Sequence, residues 1–241
     1  MKYRLTNETI KVGEVILHRI ECVETFANVK VGDKGGWIEK ESNLSQTDDA
    51  WVYGNARVYG NAWVCGNARV LENAGVYSNA WVYGDARVYG DARVCDNARV
   101  SGNADVWGNA WVSGNADVCG NAWVCGNACV CDNARVSGNA KVCNNAWVYG
   151  DAEVCDKAKV YGNARISKIS DYFFFKNSFS SGEYFTWTRS NNMWTDGFFY
   201  GTGEQLIEKA RQDSEEKARY YALYVKLVED LQKVNDANPS I

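Results

Sequence analysis

Proline and histidine are almost missing from this 241-residue chain, which has one of each, and methionine occurs twice. A single histidine, His18, removes most imidazole-based acid–base and nucleophilic chemistry before any motif is considered. With one proline, the backbone keeps nearly every amide donor, as a strand ladder requires. No apolar run approaches the roughly 18 residues of a membrane-spanning helix, so no membrane association is expected. The opening Met1-Lys2-Tyr3-Arg4-Leu5 lacks the apolar stretch and small-residue cleavage site of a signal peptide, and a cytoplasmic protein is expected. The formal net charge is −4 and no basic arm exists, so direct nucleic-acid binding is not expected. Nine cysteines, an odd number, read in a cytoplasmic protein as free thiols rather than as a disulfide framework.

What the chain has in abundance is a repeat. Valine recurs every sixth residue from Val52 to Val160, and the series closes on Ile166 without a gap. Alanine stands two positions before each, from Ala50 to Ala164, and pairs such as Gly54-Asn55 and Gly84-Asp85 separate the hexads. The unit is Ala-X-Val-Z-Gly-Asn/Asp. In an extended segment Ala and Val share one face while X and Z share the other. Valine suits a pleated strand through its stiff branched side chain, and Gly-Asn tolerates the positive φ of a corner. A single hexad buries almost nothing, so the hexads must stack as a solenoid.

These hexads resemble the hexapeptide-repeat family, which implies a left-handed parallel β-helix with three hexads per triangular coil. The expected fold is mainly β: about six coils between an N-terminal β cap and a C-terminal β-hairpin followed by a long α-helix, with about 4.8 Å between stacked strands. Three parts follow: a capping β segment (1–50), the β-helix (51–167), and an aromatic β module with the C-terminal helix (168–241). The Gly35-Gly36-Trp37-Ile38 opening followed by Asn43-Leu44-Ser45 resembles bacterial and prophage hexapeptide-repeat proteins. The aromatic run from Tyr172 to Leu206 resembles a C-terminal module of phage proteins.

Steps of one coil sort the outward residues into ladders. One carries Trp51, Arg69, Arg87, Asp105, Trp123, Lys141 and Lys159; a second carries Arg57, Gly75, Arg93, Trp111, Cys129, Trp147 and Arg165; a third carries Trp63, Trp81, Arg99, Asp117, Arg135 and Glu153. Alternating charges and stacked aromatics stabilise neighbouring strands without a ligand. Exposed tryptophan mixed with arginine is also what interfaces concentrate, and Trp63, Trp81, Trp111 and Trp147 are the candidate contacts.

Enzymes of the family are acyltransferases that use a histidine base and protruding loops. Here the repeat is uninterrupted and lacks histidine, so no catalytic residue is expected. Cysteines interchange with Tyr and Ser at Z, and a flat strand face diverges thiolates where zinc needs convergence. No metal and no cofactor are expected. These faces also lack the regular hydroxyl or methyl array that ice binding requires.

The C-terminal region supplies a second candidate site. Thr202-Gly203-Glu204-Gln205 has the capping-box pattern of a helix start, and the helix is expected to run from Glu204 to Val234. Trp187, Arg189, Trp194, Tyr200 and Thr202 would combine stacking rings, a guanidinium and a helix N-terminus, as a nucleotide-like ligand needs. The functional expectation is a non-enzymatic phage or prophage accessory protein, acting in the host cytoplasm as a counter-defence factor that binds and blocks a host protein. The alternatives are a sponge for a nucleotide immune signal and a structural virion or scaffold protein. A homo-oligomer, dimer or trimer, is expected.

Overall fold

The computed structural model describes residues 1–179 and 184–237. The chain divides into two compact units, Met1–Ile169 and Ser170–Ile241.

In the first unit each hexad forms a two-residue strand, such as Trp51–Val52, Arg57–Val58 and Trp63–Val64. Successive strands join three parallel sheets in turn. Trp51–Val52 pairs with Arg69–Val70, Arg57–Val58 with Gly75–Val76, and Trp63–Val64 with Trp81–Val82. Amides on the X, Z and Asn positions donate to the next coil, as in Trp51 N to Ala68 O (3.1 Å), Tyr53 N to Val70 O (2.8 Å) and Asn55 N to Glu72 O (2.9 Å). The alanines and valines of the repeat are buried throughout, each valine contributing roughly 1.5–3 kcal/mol by leaving water. The fold is a parallel β-solenoid, as the periodicity predicts.

The corners explain the Gly-Asn pair more fully than positive φ alone. Gly90 has φ +74°, and a Cβ there would stand 2.9 Å from both the N and the O of Gly108 in the next coil. Coil spacing therefore disfavours a side chain there as the backbone conformation does, although Glu72, Ser78, Asp96, Asp132, Asn144 and Asp156 take the same corner position at positive φ. The asparagines form ladders of their own: Asn61, Asn79, Asn97, Asn115 and Asn133 each donate Nδ2 to the Oδ1 one coil on, ending at Asp151. Where a corner lacks glycine, an acid can use its side chain, as Glu72 does in accepting from the amide of Gly90 (2.8 Å).

Three features depart from expectation. The solenoid begins one coil early and makes about seven turns: Trp37 pairs in parallel with Arg57, and Leu44 bridges Val64. The hairpin of Tyr3–Val12 and Val15–Cys22 extends the same sheet through Lys34–Ile38. Trp51, first rung of an outward ladder, is buried instead, with Tyr3 and Phe26 edge-on at 6.0 and 5.4 Å. Cys125 and Cys143 are joined in a disulfide across adjacent coils, with Cα atoms 4.6 Å apart, which corrects the expectation of free thiols for that pair. The one-coil register that stacks them also brings their sulfurs together.

Lys2 fastens the hairpin to the first hexad. Its buried ammonium donates to the carbonyls of Asp48 (2.7 Å) and Ala50 (2.8 Å), and burial holds its pKa below the usual lysine range. His18 is half-buried on the hairpin beside the Thr6 carbonyl, 3.2 Å away.

In the second unit the expected hairpin is a four-stranded antiparallel meander of Tyr172–Lys176, Tyr184–Thr188, Met193–Asp196 and Phe199–Gly201. Two helices follow, α1 (Gly203–Asp213) and α2 (Glu215–Ala237), where a single helix was expected. The break is at Ser214, whose backbone is extended. Its Oγ accepts from the amide of Lys217 (3.1 Å), so Ser214 closes α1 and caps α2, with Glu215 and Glu216 in the favourable first turn. Phe185, Trp187, Trp194, Leu206, Tyr221 and Val228 form the core.

Val112 is fully buried at mid-solenoid. Val112→Asp places an unpaired carboxylate among stacked valines and is expected to cost more than about 4 kcal/mol. Thermal denaturation by circular dichroism checks this; an unchanged midpoint would refute the inward assignment.

Candidate functional site

The outward residues of the solenoid are arranged by the three sheets. Trp63 and Trp81 are edge-to-face neighbours at 5.5 Å on the six-stranded sheet, and the Arg99 guanidinium stands 5.7 Å from the Trp81 ring. Trp111 and Trp147 lie on the ten-stranded sheet with Cys129 between them. The four candidate contacts therefore divide between two faces, two to each. All four rings stay substantially exposed, from 39% for Trp63 to 46% for Trp111. Trp111 donates its indole N–H to Cys95 Sγ (3.2 Å), and Arg165 lies 5.0 Å from the Trp147 ring. These contacts hold the indoles at fixed angles, with one part of each ring still facing water.

Charge separates the faces more sharply than the aromatics do. On the seven-stranded sheet, buried Asp105 accepts two 2.7 Å bonds from the Arg87 guanidinium. The six-stranded sheet carries Asp117, 3.7 Å from Arg135, and Glu153. From Arg57 to Arg165 the ten-stranded sheet has no carboxylate at any X or Z position of its strands. Its outward residues there are Arg, Trp, Tyr, Cys, Ser and Gly. The carboxylates avoid this ladder alone, a pattern visible in the sequence by sorting the outward residues by sign of charge.

Burial raises the pKa of each thiol on that face, Cys95, Cys129 and Cys131. Burial, with neighbouring Cys131, pushes the Cys129 thiol up to about 12, so it stays protonated near neutrality. Among the described residues no group of three or more His, Cys, Asp or Glu is placed to hold a metal ion. No described helix is long and apolar enough to cross a membrane.

The C-terminal residues meet differently from the nucleotide expectation. Trp187 and Trp194 are cross-strand partners, both almost wholly buried. Phe173 stacks on the Trp187 ring at 5.5 Å, and the Trp187 N–H donates to Asn192 Oδ1 (2.9 Å). Thr202 caps α1: its Oγ1 accepts from the Gln205 amide, and Gln205 Oε1 accepts from the Thr202 amide. A cleft of about 280 Å³ does bring Trp187, Trp194 and Thr202 together, but its rim adds Glu204 and Glu229. Arg189 and Tyr200 are not in its lining. Arg189 pairs instead with Asp236 of α2, and the Tyr200 hydroxyl accepts from Asn191 (3.3 Å). The helix start is sealed by its own side chains, and two carboxylates oppose an anion there. Among the described residues lining this cleft, a phosphate finds no cationic partner.

A family profile described as the YdcK Beta solenoid repeat matches residues 50–66, 80–96 and 92–106. No curated protein matches the chain. Together with the stacked coils, the profile match makes this a repeat β-helix protein.

Trp187→Ala is expected to destabilise the chain by about 3–5 kcal/mol, the usual cost of emptying a buried aromatic site. Differential scanning calorimetry checks this; an unchanged melting profile would contradict its place in the core.

Proposed function

We propose that the protein is a non-enzymatic binding scaffold whose ten-stranded solenoid face docks an acidic protein partner. The observation that carries this reading is the absence of carboxylates from outward strand positions between Arg57 and Arg165, on a chain whose net charge is −4. Trp111 and Trp147 on the same face are exposed, oriented anchors of the kind that dominate binding energy. A rigid solenoid loses little conformational entropy on association. The cationic arginines favour approach by an acidic surface and weigh against pairing of this face with a copy of itself. The expected homo-oligomer would therefore use another surface.

The bacterial and prophage resemblance supports the further reading of a phage accessory protein in the host cytoplasm that blocks a host protein as counter-defence. The nucleotide sponge draws no support from the C-terminal cleft, where carboxylates stand in place of a phosphate partner.

The test is affinity capture from host lysate followed by measured binding of the purified partner. Trp111→Ala with Trp147→Ala is expected to weaken binding at least about a hundredfold, and Trp63→Ala with Trp81→Ala to leave it within a few-fold. Association should slow as salt rises. Equal losses from both pairs, or salt-independent association, would overturn the assignment to this face.

A further inference from the structure

Gly75 is an anomaly in the repeat. It occupies an outward X position between Arg57 and Arg93, with Trp111 one strand beyond Arg93. The corner glycines are favoured by positive φ and by close approach of the next coil. At Gly75 neither applies: its φ lies outside the left-handed region, and an added Cβ would meet only the Tyr77 ring at 3.7 Å, an ordinary contact. Glycine is also a poor strand former. The fold does not explain it.

What the missing side chain creates is a notch of about 380 Å³. Arg57 and Arg93, one strand to either side of Gly75, form its ends. Tyr59 and Tyr77, stacked at 5.1 Å and nearly parallel, form one flank. Asn73 and Asp91, joined by a 3.1 Å hydrogen bond, form the other. Arg87 and Arg135 elsewhere on the solenoid have carboxylate partners, whereas Arg57 and Arg93 have none among the described residues. Two guanidiniums against the one carboxylate of Asp91 leave the notch cationic.

We propose that this notch binds a phosphate group, either free or as the monoester of a small molecule. The two arginines start about 10 Å apart, two strand spacings, and their long side chains can close on one tetrahedral dianion from opposite sides. Guanidinium forks suit phosphate oxygens in geometry as well as charge. The open floor at Gly75 gives the anion its seat, and the tyrosine flank offers a flat wall to an organic substituent. Burial raises the pKa of both phenols, which keeps them neutral O–H donors. This site shares Arg57 and Arg93 with the face of the protein-docking reading but does not require that reading, since the phosphate probes are titrated without any partner.

Isothermal titration of the full chain with inorganic phosphate and with phenyl phosphate at low ionic strength tests it. Saturable one-site binding of either is expected. Phenyl phosphate binding at least about tenfold tighter assigns the site to a monoester, and equal affinity assigns it to free phosphate. Gly75→Val should fill the notch and abolish binding without lowering the melting temperature, since valine suits the strand. Arg57→Gln and Arg93→Gln should each weaken binding at least about tenfold, while Arg69→Gln on another sheet should not. Should Gly75→Val fail to fold, the arginine variants decide. No saturable binding below about 10 mM of either probe, or unchanged affinity in the notch variants, would overturn the proposal.

Discussion

The spacing between hydrogen-bonded neighbours, one coil of three hexads, is the constraint on which everything else rests. Every X and Z amide that donates to the coil beyond it fixes which residue stands above which. A slip of one residue would turn valine outward and the X side chains inward along the whole prism. The Ala-Val interior therefore selects the register, and the register decides what each outward side chain meets. Asparagine reinforces it at the corners, where each amide reaches the next side chain one coil on. Gly90 and its counterparts keep the corners close enough for those bonds to form.

A fold supported from within leaves its outward positions comparatively free. On two sheets they are spent partly on ion pairs and ring contacts between coils, such as Arg87 with Asp105 and Trp63 with Trp81. From Arg57 to Arg165 the ten-stranded sheet keeps ring contacts, such as Tyr59 with Tyr77, but has no acidic partner for its arginines at the outward strand positions. Arginines and tryptophans stand there with no carboxylate at those positions, and Gly75 opens a gap between two guanidiniums. The same regularity that stacks like residues also exposes an exception, because a missing side chain between two long ones becomes a cavity. The solenoid is thus a ruler on which chemistry is placed at fixed intervals.

The period was legible because Val and Ala recur without interruption, and a strand has no other way to bury both. Ladder membership followed by counting. Trp51 was misplaced because its covering residues, Tyr3 and Phe26, lie far away in sequence and only the fold brings them over it. The break at Ser214 was missed because the amphipathic stripe of α2 runs on from α1 with no proline or glycine to mark the end. Ser-Glu-Glu-Lys was the available signal. Trp187 and Trp194 looked like binding aromatics, since composition does not distinguish a small aromatic core from a stacking platform. Only their cross-strand pairing beneath the helices does so. Arg189 found Asp236, a partner nearly fifty residues on whose proximity depends on the course of α2.

Because the register carries both the fold and the arrangement of the proposed sites, its direct test is amide hydrogen exchange along residues 51–166 of the full chain. The account predicts slow exchange at the X, Val, Z and Asn amides of successive hexads on all three sheets, where parallel pairing joins each coil to the next, with the corner glycine amides exchanging faster where no side chain accepts from them. Protection that ignored the hexad positions, or rapid exchange at X and Z amides in the middle coils, would contradict it.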